Sequence, residues 1–109
     1  MRVLFDQGTP AAIRSSLTKH VVRTAYEQGW STLSNGELLS AAEEAGFAVL
    51  LTTDTHLPDQ QNIRGRKIAV VILSKNRWVL IKLQLTQIAA AVEAAEPGTC
   101  TLVEIDDDR

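Results

Sequence analysis

Residues 48 to 53 read "AVLLTT". Four apolar residues in a row turn polar at two threonines, and Asp54 follows. A strand with one wet face would alternate. An unbroken apolar run is expected of a strand buried on both faces, and such strands sit centrally in parallel sheets. Downstream, "DTHLPDQQNIRGR" is a long polar connection with a helical turn after Pro58, and "KIAVVIL", residues 67 to 73, is a second run of the same kind. Upstream, Gly46 closes a helix that starts at Ser34. Its S-x-x-E pattern, Ser34 to Glu37, is a capping box ahead of Leu38, Leu39 and Ala42, with Asn35 as an alternative cap.

The remaining elements fall on either side. Residues 2 to 5 form a short buried strand. Thr9 can cap, and Pro10 suits a first helical position, which predicts a helix over 10–17 with Ile13 and Leu17 inward. Val21 and Val22 lead a second strand ending near Ala25, and "EQGWSTLSNG" is loop. Trp78, Ile81, Leu85, Ile88 and Val92 make one apolar stripe, so a single long helix is predicted there, with Trp78 in the core. Asn76 can cap its start and Pro97-Gly98 stops it. "CTLVEI" follows as a less hydrophobic strand at an edge.

Strands that alternate with helices imply an α/β fold. The expectation is one domain over 1–105 with an acidic tail at 106–109. It has three layers, a Rossmann-like arrangement with a mostly parallel central sheet of four to five strands flanked by helices. Right-handed crossovers are expected, with all strand C-termini on one edge, where ligand sites of such folds lie.

Composition narrows the function classes. A chain of 109 residues, 45% apolar and 22% charged, has the make-up of one globular domain. No apolar run reaches the ~18 residues of a membrane span, and no signal peptide is read at the start. A single cysteine, Cys100, excludes an internal disulfide and a multi-cysteine zinc site, which fits a reducing, cytoplasmic setting. The net charge of −2 does not mark a strong nucleic-acid binder. The tail distorts that count, since "EIDDDR" alone holds four acids and one base. The knot Arg64, Arg66, Lys67 reads as a solvated turn before a strand, with a weak RNA-facing patch as the alternative.

Chemistry concentrates in carboxylates. Asp6 follows the first strand, Asp54 the third, and Glu37 lies in the first turn of the helix that feeds the third. Parallel topology carries all three to one edge. Clustered like charges need compensation, and a divalent cation supplies it. Mg²⁺ or Mn²⁺ takes carboxylates plus waters and phosphates, and can activate a water. Each acid also has a local role open to it. Asp6 and Asp54 can close the turns after their strands, and Glu37 can be the return half of the capping box. His56 can face a phosphate or simply stand in solvent, and His20 reads as surface or packing. Asp59 can be a fourth ligand, but a cap beside Pro58 suits it better; Asn62 sits in the same loop. Trp30 reads as packing.

At these residues the chain resembles the PIN-like proteins of the DUF5615 group, relatives of the Mut7-C domain and of bacterial PIN-domain toxins. "LFDQGTP" (4–10) stands for their opening "LLDENLP", "SNGELL" (34–39) for a "sDeEIL"-like helix start, and "LTTDTHL" (51–57) for a "vTrDkDF"-like strand end. The resemblance runs to about residue 95. It implies a metal-dependent ribonuclease, often a toxin, with Asp6, Glu37 and Asp54 as catalytic metal ligands. It further implies RNA as substrate, a small antitoxin as partner, and homodimers. The departures are Gln7, Asn35 and His56, where relatives often carry acids, so a catalytically reduced module that binds a partner without turnover is the alternative. Phospho-receiver domains also place an Asp after the third strand and a hydroxyl after the fourth, here Asp54 and Ser74. They require a second acid after the first strand and a lysine after the fifth, and neither is present.

Overall fold

The computed structural model describes residues 1–107; Asp108 and Arg109, the end of the expected acidic tail, lie outside the described residues. Five strands form one sheet: β1 (Arg2–Phe5), β2 (Val21–Thr24), β3 (Val49–Thr52), β4 (Ala69–Leu73) and β5 (Cys100–Val103). Their order is β2-β1-β3-β4-β5, and every pairing is parallel. The apolar runs behave as expected, since β3 and β4 are buried along their whole length while β5 lies at an edge with three of its four residues exposed. Order 2-1-3-4-5 is the flavodoxin-like doubly wound order, whose switch point lies between β1 and β3.

Side-chain alternation divides the core in two. Val3, Phe5, Val49, Leu51, Val71 and Leu73 face one side; Leu4, Leu50, Val70 and Ile72 face the other. The first side is covered by a 3-10 helix (Ala11–Ser16) through Ile13, by α3 (Trp78–Ile81) through Leu80 and Ile81, and by α4 (Leu85–Ala94) through Ile88 and Val92. The second is covered by α1 (Asn35–Glu44) through Leu38, Leu39 and Ala42, and by α2 (Leu57–Gln60) through Leu57. Three layers result, as expected.

One feature of the winding departs from expectation. The chain moves one way from β1 to β2 over the first side, and the other way from β2 to β3 and from β3 to β4 over the second. These three crossovers share one hand. From β4 to β5 the direction is unchanged but α3 and α4 lie over the first side, so this crossover has the opposite hand. If the first three are right-handed, as nearly all such units are, the last is left-handed. The cause is coverage. The short 3-10 helix cannot roof Val49, Leu51, Val71 and Leu73, and α4 packs beside it to do so. The second side of β5 is left bare, with Leu102 half exposed and Cys100 exposed.

Three local expectations are corrected. The predicted helix over 10–17 is the 3-10 helix, capped at Pro10 without a side chain, because the Thr9 hydroxyl donates instead to the Leu51 carbonyl at 3.0 Å. The predicted single stripe helix breaks into α3 and α4, with Arg77 and not Asn76 at the start. The break rotates Trp78 out of the stripe, and it is 38% exposed rather than core. The capping box is present as read: the Glu37 N–H donates to Ser34 Oγ and the Ser34 N–H donates to Glu37 Oε1 at 3.0 Å. Gly46, at φ +84°, ends α1 in a backbone region that side chains disfavour. Trp30 packs edge-on against Phe47 as expected.

Candidate functional site

Parallel pairing sets Phe5 against Leu51, and the Asp6 N–H continues the ladder to the Leu51 carbonyl at 2.9 Å. Asp6 is thereby level with Thr52, and Asp54 lies two residues farther along, on the same face by strand periodicity. Thr52, fully buried, is the joint between them. Its hydroxyl donates to Asp6 Oδ2 at 2.7 Å and accepts from the Asp54 N–H at 3.1 Å. Asp6 Oδ1 accepts from the Gln7 N–H at 2.8 Å. A turn closes below it, with the Thr9 N–H on the Asp6 carbonyl at 3.0 Å. Gly8 lets this turn approach β3, because a Cβ there would stand 3.0 Å from Thr53 Oγ1.

Asp54 is held from two other segments. Its Oδ1 accepts from the His56 N–H at 3.0 Å, and its Oδ2 accepts from Asn35 Nδ2 at 2.9 Å. Asn35 is the first residue of α1, and its amide also reaches Gln60 Oε1 at 3.4 Å. The four carboxylate oxygens of Asp6 and Asp54 thus each accept from a neutral donor. Among the described residues no ion pair involves either acid; the pairs present are Arg14–Glu27, Arg66–Glu43 and Lys75–Asp107.

The expected constellation is therefore assembled in part. Asp6 and Asp54 meet through Thr52 at the β1/β3 switch point, and Asn35 joins them. Glu37 arrives at the same end of α1 but is turned back into the capping box. The Ser34 N–H and then the Ser34 hydroxyl hold its carboxyl below the usual range for glutamate. Among the described residues no group of three or more His, Cys, Asp and Glu is gathered as a metal ligand set. Asp59 is not a cap: His56 holds the cap position of α2 without a side-chain bond, and Asp59 stands exposed in the first turn. Asn62 serves its own loop, accepting from the Arg64 N–H at 3.1 Å. The His56 ring and Gln7 are exposed at the rim. Ser74 does not face this site, because its hydroxyl accepts from the Ile105 N–H at 2.7 Å.

Sequence reasoning passed over Thr52. Its signal was available: an apolar strand that ends in threonine beside a strand that ends in aspartate. Only the register, with Phe5 opposite Leu51, shows that the two side chains meet.

As a donor set, Asp6 and Asp54 suit a small divalent cation, which takes one or two carboxylates and completes its shell with water. Glu37 joins such a set only by leaving the cap. No helix among the described residues is long and apolar enough to cross a membrane. No protein-family model matches the chain, and no curated protein or solved structure matches it.

Proposed function

We propose that this chain is a metal-dependent ribonuclease of the PIN-like kind, with Asp6 and Asp54 as the pair that holds Mg²⁺ or Mn²⁺. The observation that carries the reading is the placing of Asp6 and Asp54 at the β1/β3 switch point, where the buried Thr52 hydroxyl holds the Asp6 carboxylate and the Asp54 backbone N–H, and where neither acid is in an ion pair among the described residues. Ligands of open α/β sheets bind at that crevice. A bound cation would supply charge neutralisation at a phosphodiester and a water of lowered pKa. The residues themselves do the positioning. Thr52 fixes the Asp6 carboxylate, Asn35 and the His56 N–H fix that of Asp54, and Gly8 keeps the β1 turn close. Glu37 is the third acid within reach of the same edge, and RNA is the substrate this reading assigns.

The test is cleavage of a single-stranded RNA with Mg²⁺ or Mn²⁺, comparing wild type with Asp6→Asn and Asp54→Asn. Metal-dependent cleavage lost in both variants is expected; equal activity in all three proteins overturns the reading.

A second reading has its own observation. The Glu37 carboxylate is engaged by Ser34, and Asn35 places an amide where a third charge would otherwise stand against Asp54. Both suit a module that binds a partner without turnover. Calorimetry separates the two, since the binding module takes up no Mn²⁺ at millimolar concentration.

A further inference from the structure

The break between α3 and α4 puts an unusual surface in solvent. Arg77, Trp78, Val79, Lys82 and Leu83 are all exposed, with Trp78 at 38% and Leu83 at 75%. With Leu80 and Ile81 buried, the helical spacing sets Trp78, Lys82, Val79 and Leu83 on one continuous arc. Its two borders differ. On the Leu83 side an open groove of about 700 Å³ is walled by the segment after β5, whose Glu104, Asp106 and Asp107 line it. Arg77, Trp78 and Lys82 do not line that groove. No acid occurs between Asp59 and Glu93, whereas six basic residues do, among them Arg77 and Lys82. No ion pair among the described residues uses either of these two.

We propose that Arg77, Trp78 and Lys82 form a stacking platform for single-stranded nucleic acid. It lies on the sheet edge that also carries Asp6 and Asp54. An indole gives a base a π-face, and two flanking cations match consecutive phosphates. An apolar protein partner would have no use for the unpaired charges on this border, and the acidic wall on the other border directs a polyanion away from β5. The platform lies on α3, over the side of the sheet that Phe5 and Leu51 face, and Asp6 and Thr52 alternate to the other side. The inference deepens the ribonuclease reading and rests on it for the use of the strand, while the binding itself needs neither metal nor carboxylate.

The experiment follows the anisotropy of a dye-labelled short oligouridylate titrated with the chain at low salt without divalent metal. In a Trp30→Phe background the emission of Trp78 reports the same event directly. Quenching and saturable binding are expected. Trp78→Ala should weaken binding about tenfold or more, with Trp78→Tyr largely retaining it. Arg77→Gln with Lys82→Gln should lower the salt slope by about 1.4, two contacts at ~0.7 each. A parent that binds the oligouridylate yet cleaves no RNA with Mg²⁺ or Mn²⁺ counts against the nuclease reading alone. Unchanged affinity in Trp78→Ala with a native circular dichroism spectrum overturns the platform, and so does an absence of binding in the parent. A concentration-dependent dimer that Trp78→Ala abolishes also overturns it, by assigning the arc to a second copy of the chain.

Discussion

Replacing Thr52 with valine tests the joint on which the site is built. Valine keeps the β-branched shape that suits a central strand and puts a methyl where the hydroxyl stood. Two bonds are lost together, the 2.7 Å donation to Asp6 and the 3.1 Å acceptance from the Asp54 N–H. A hydrogen bond to a charged group contributes about 1.5–3 kcal/mol and a neutral one about 0.5–1.5. Asp6 and Asp54 are only half-buried, so water replaces part of each, and the low end of both ranges applies. The expected loss is about 2 kcal/mol. In urea, with a slope of about 1–2 kcal/mol per molar, the midpoint falls by ~1–2 M at unchanged slope. Thr52→Ser is the control. It keeps the hydroxyl and loses one buried methyl, which costs about 1 kcal/mol. Thr52→Val should therefore be the less stable of the two. If the valine variant unfolds at the wild-type midpoint, or the serine variant is the weaker, the bridge between β1 and β3 does not exist as described.

Other expectations concern the acids and their neighbours. Glu37→Gln preserves an acceptor for the Ser34 N–H, so it should leave the fold intact; a collapse of RNA cleavage in this variant would make Glu37 a ligand as well as a cap. Because the Ser34 bonds lower the Glu37 pKa, its charge stabilises the fold above the ordinary value of 4.5 and ceases to as pH falls through the lowered value, so the stability gap between wild type and Glu37→Gln should close on acidification in urea titrations. Mn²⁺ at a hundred times its dissociation constant should raise wild-type stability by about 2.7 kcal/mol in thermal melts, and Asp6→Asn should abolish the shift. Asn35→Asp should destabilise the metal-free protein and recover with Mn²⁺, since it sets a carboxylate 2.9 Å from Asp54 Oδ2 where an amide donor now stands.

Much of the architecture was readable because it follows from hydrophobic period. The runs 48–53 and 67–73 announced central strands, the weaker 100–105 an edge, and Ser34 with Glu37 the start of α1. Period alone could not place the break after Ile81. Trp78, Ile81, Leu85, Ile88 and Val92 fit one helix, yet Leu80 and Ile81 bury together and turn Trp78 outward. Nor does any local signal encode the hand of the last crossover, which follows from how much of the sheet the short 3-10 helix leaves uncovered. In the site, topology brought Asp6 and Asp54 to one edge as expected. What topology cannot supply is which side chains are already engaged there. Glu37 fits both a cap and a ligand set by sequence, and the cap takes it because the i, i+3 spacing sets its carboxylate against the Ser34 N–H.

Asn35 shows how the charge at the switch point is balanced. Two carboxylates close together in a half-buried crevice repel, and three means of relief exist: protonation, a basic side chain, or a cation. Among the described residues no basic side chain pairs with either acid. Neutral donors carry part of the load, from Thr52, Gln7, His56 and Asn35. The start of α1 adds a further part, because Asn35 brings the positive end of the helix dipole against Asp54. An aspartate at position 35 would replace that amide donor with a third negative charge against Asp54. With an amide there, a neutral donor stands against Asp54 Oδ2 in place of a third charge, so on the proposed reading a cation would bind the pair without being needed for folding. That distinction makes metal binding, and not stability alone, the decisive measurement for the pair Asp6–Asp54.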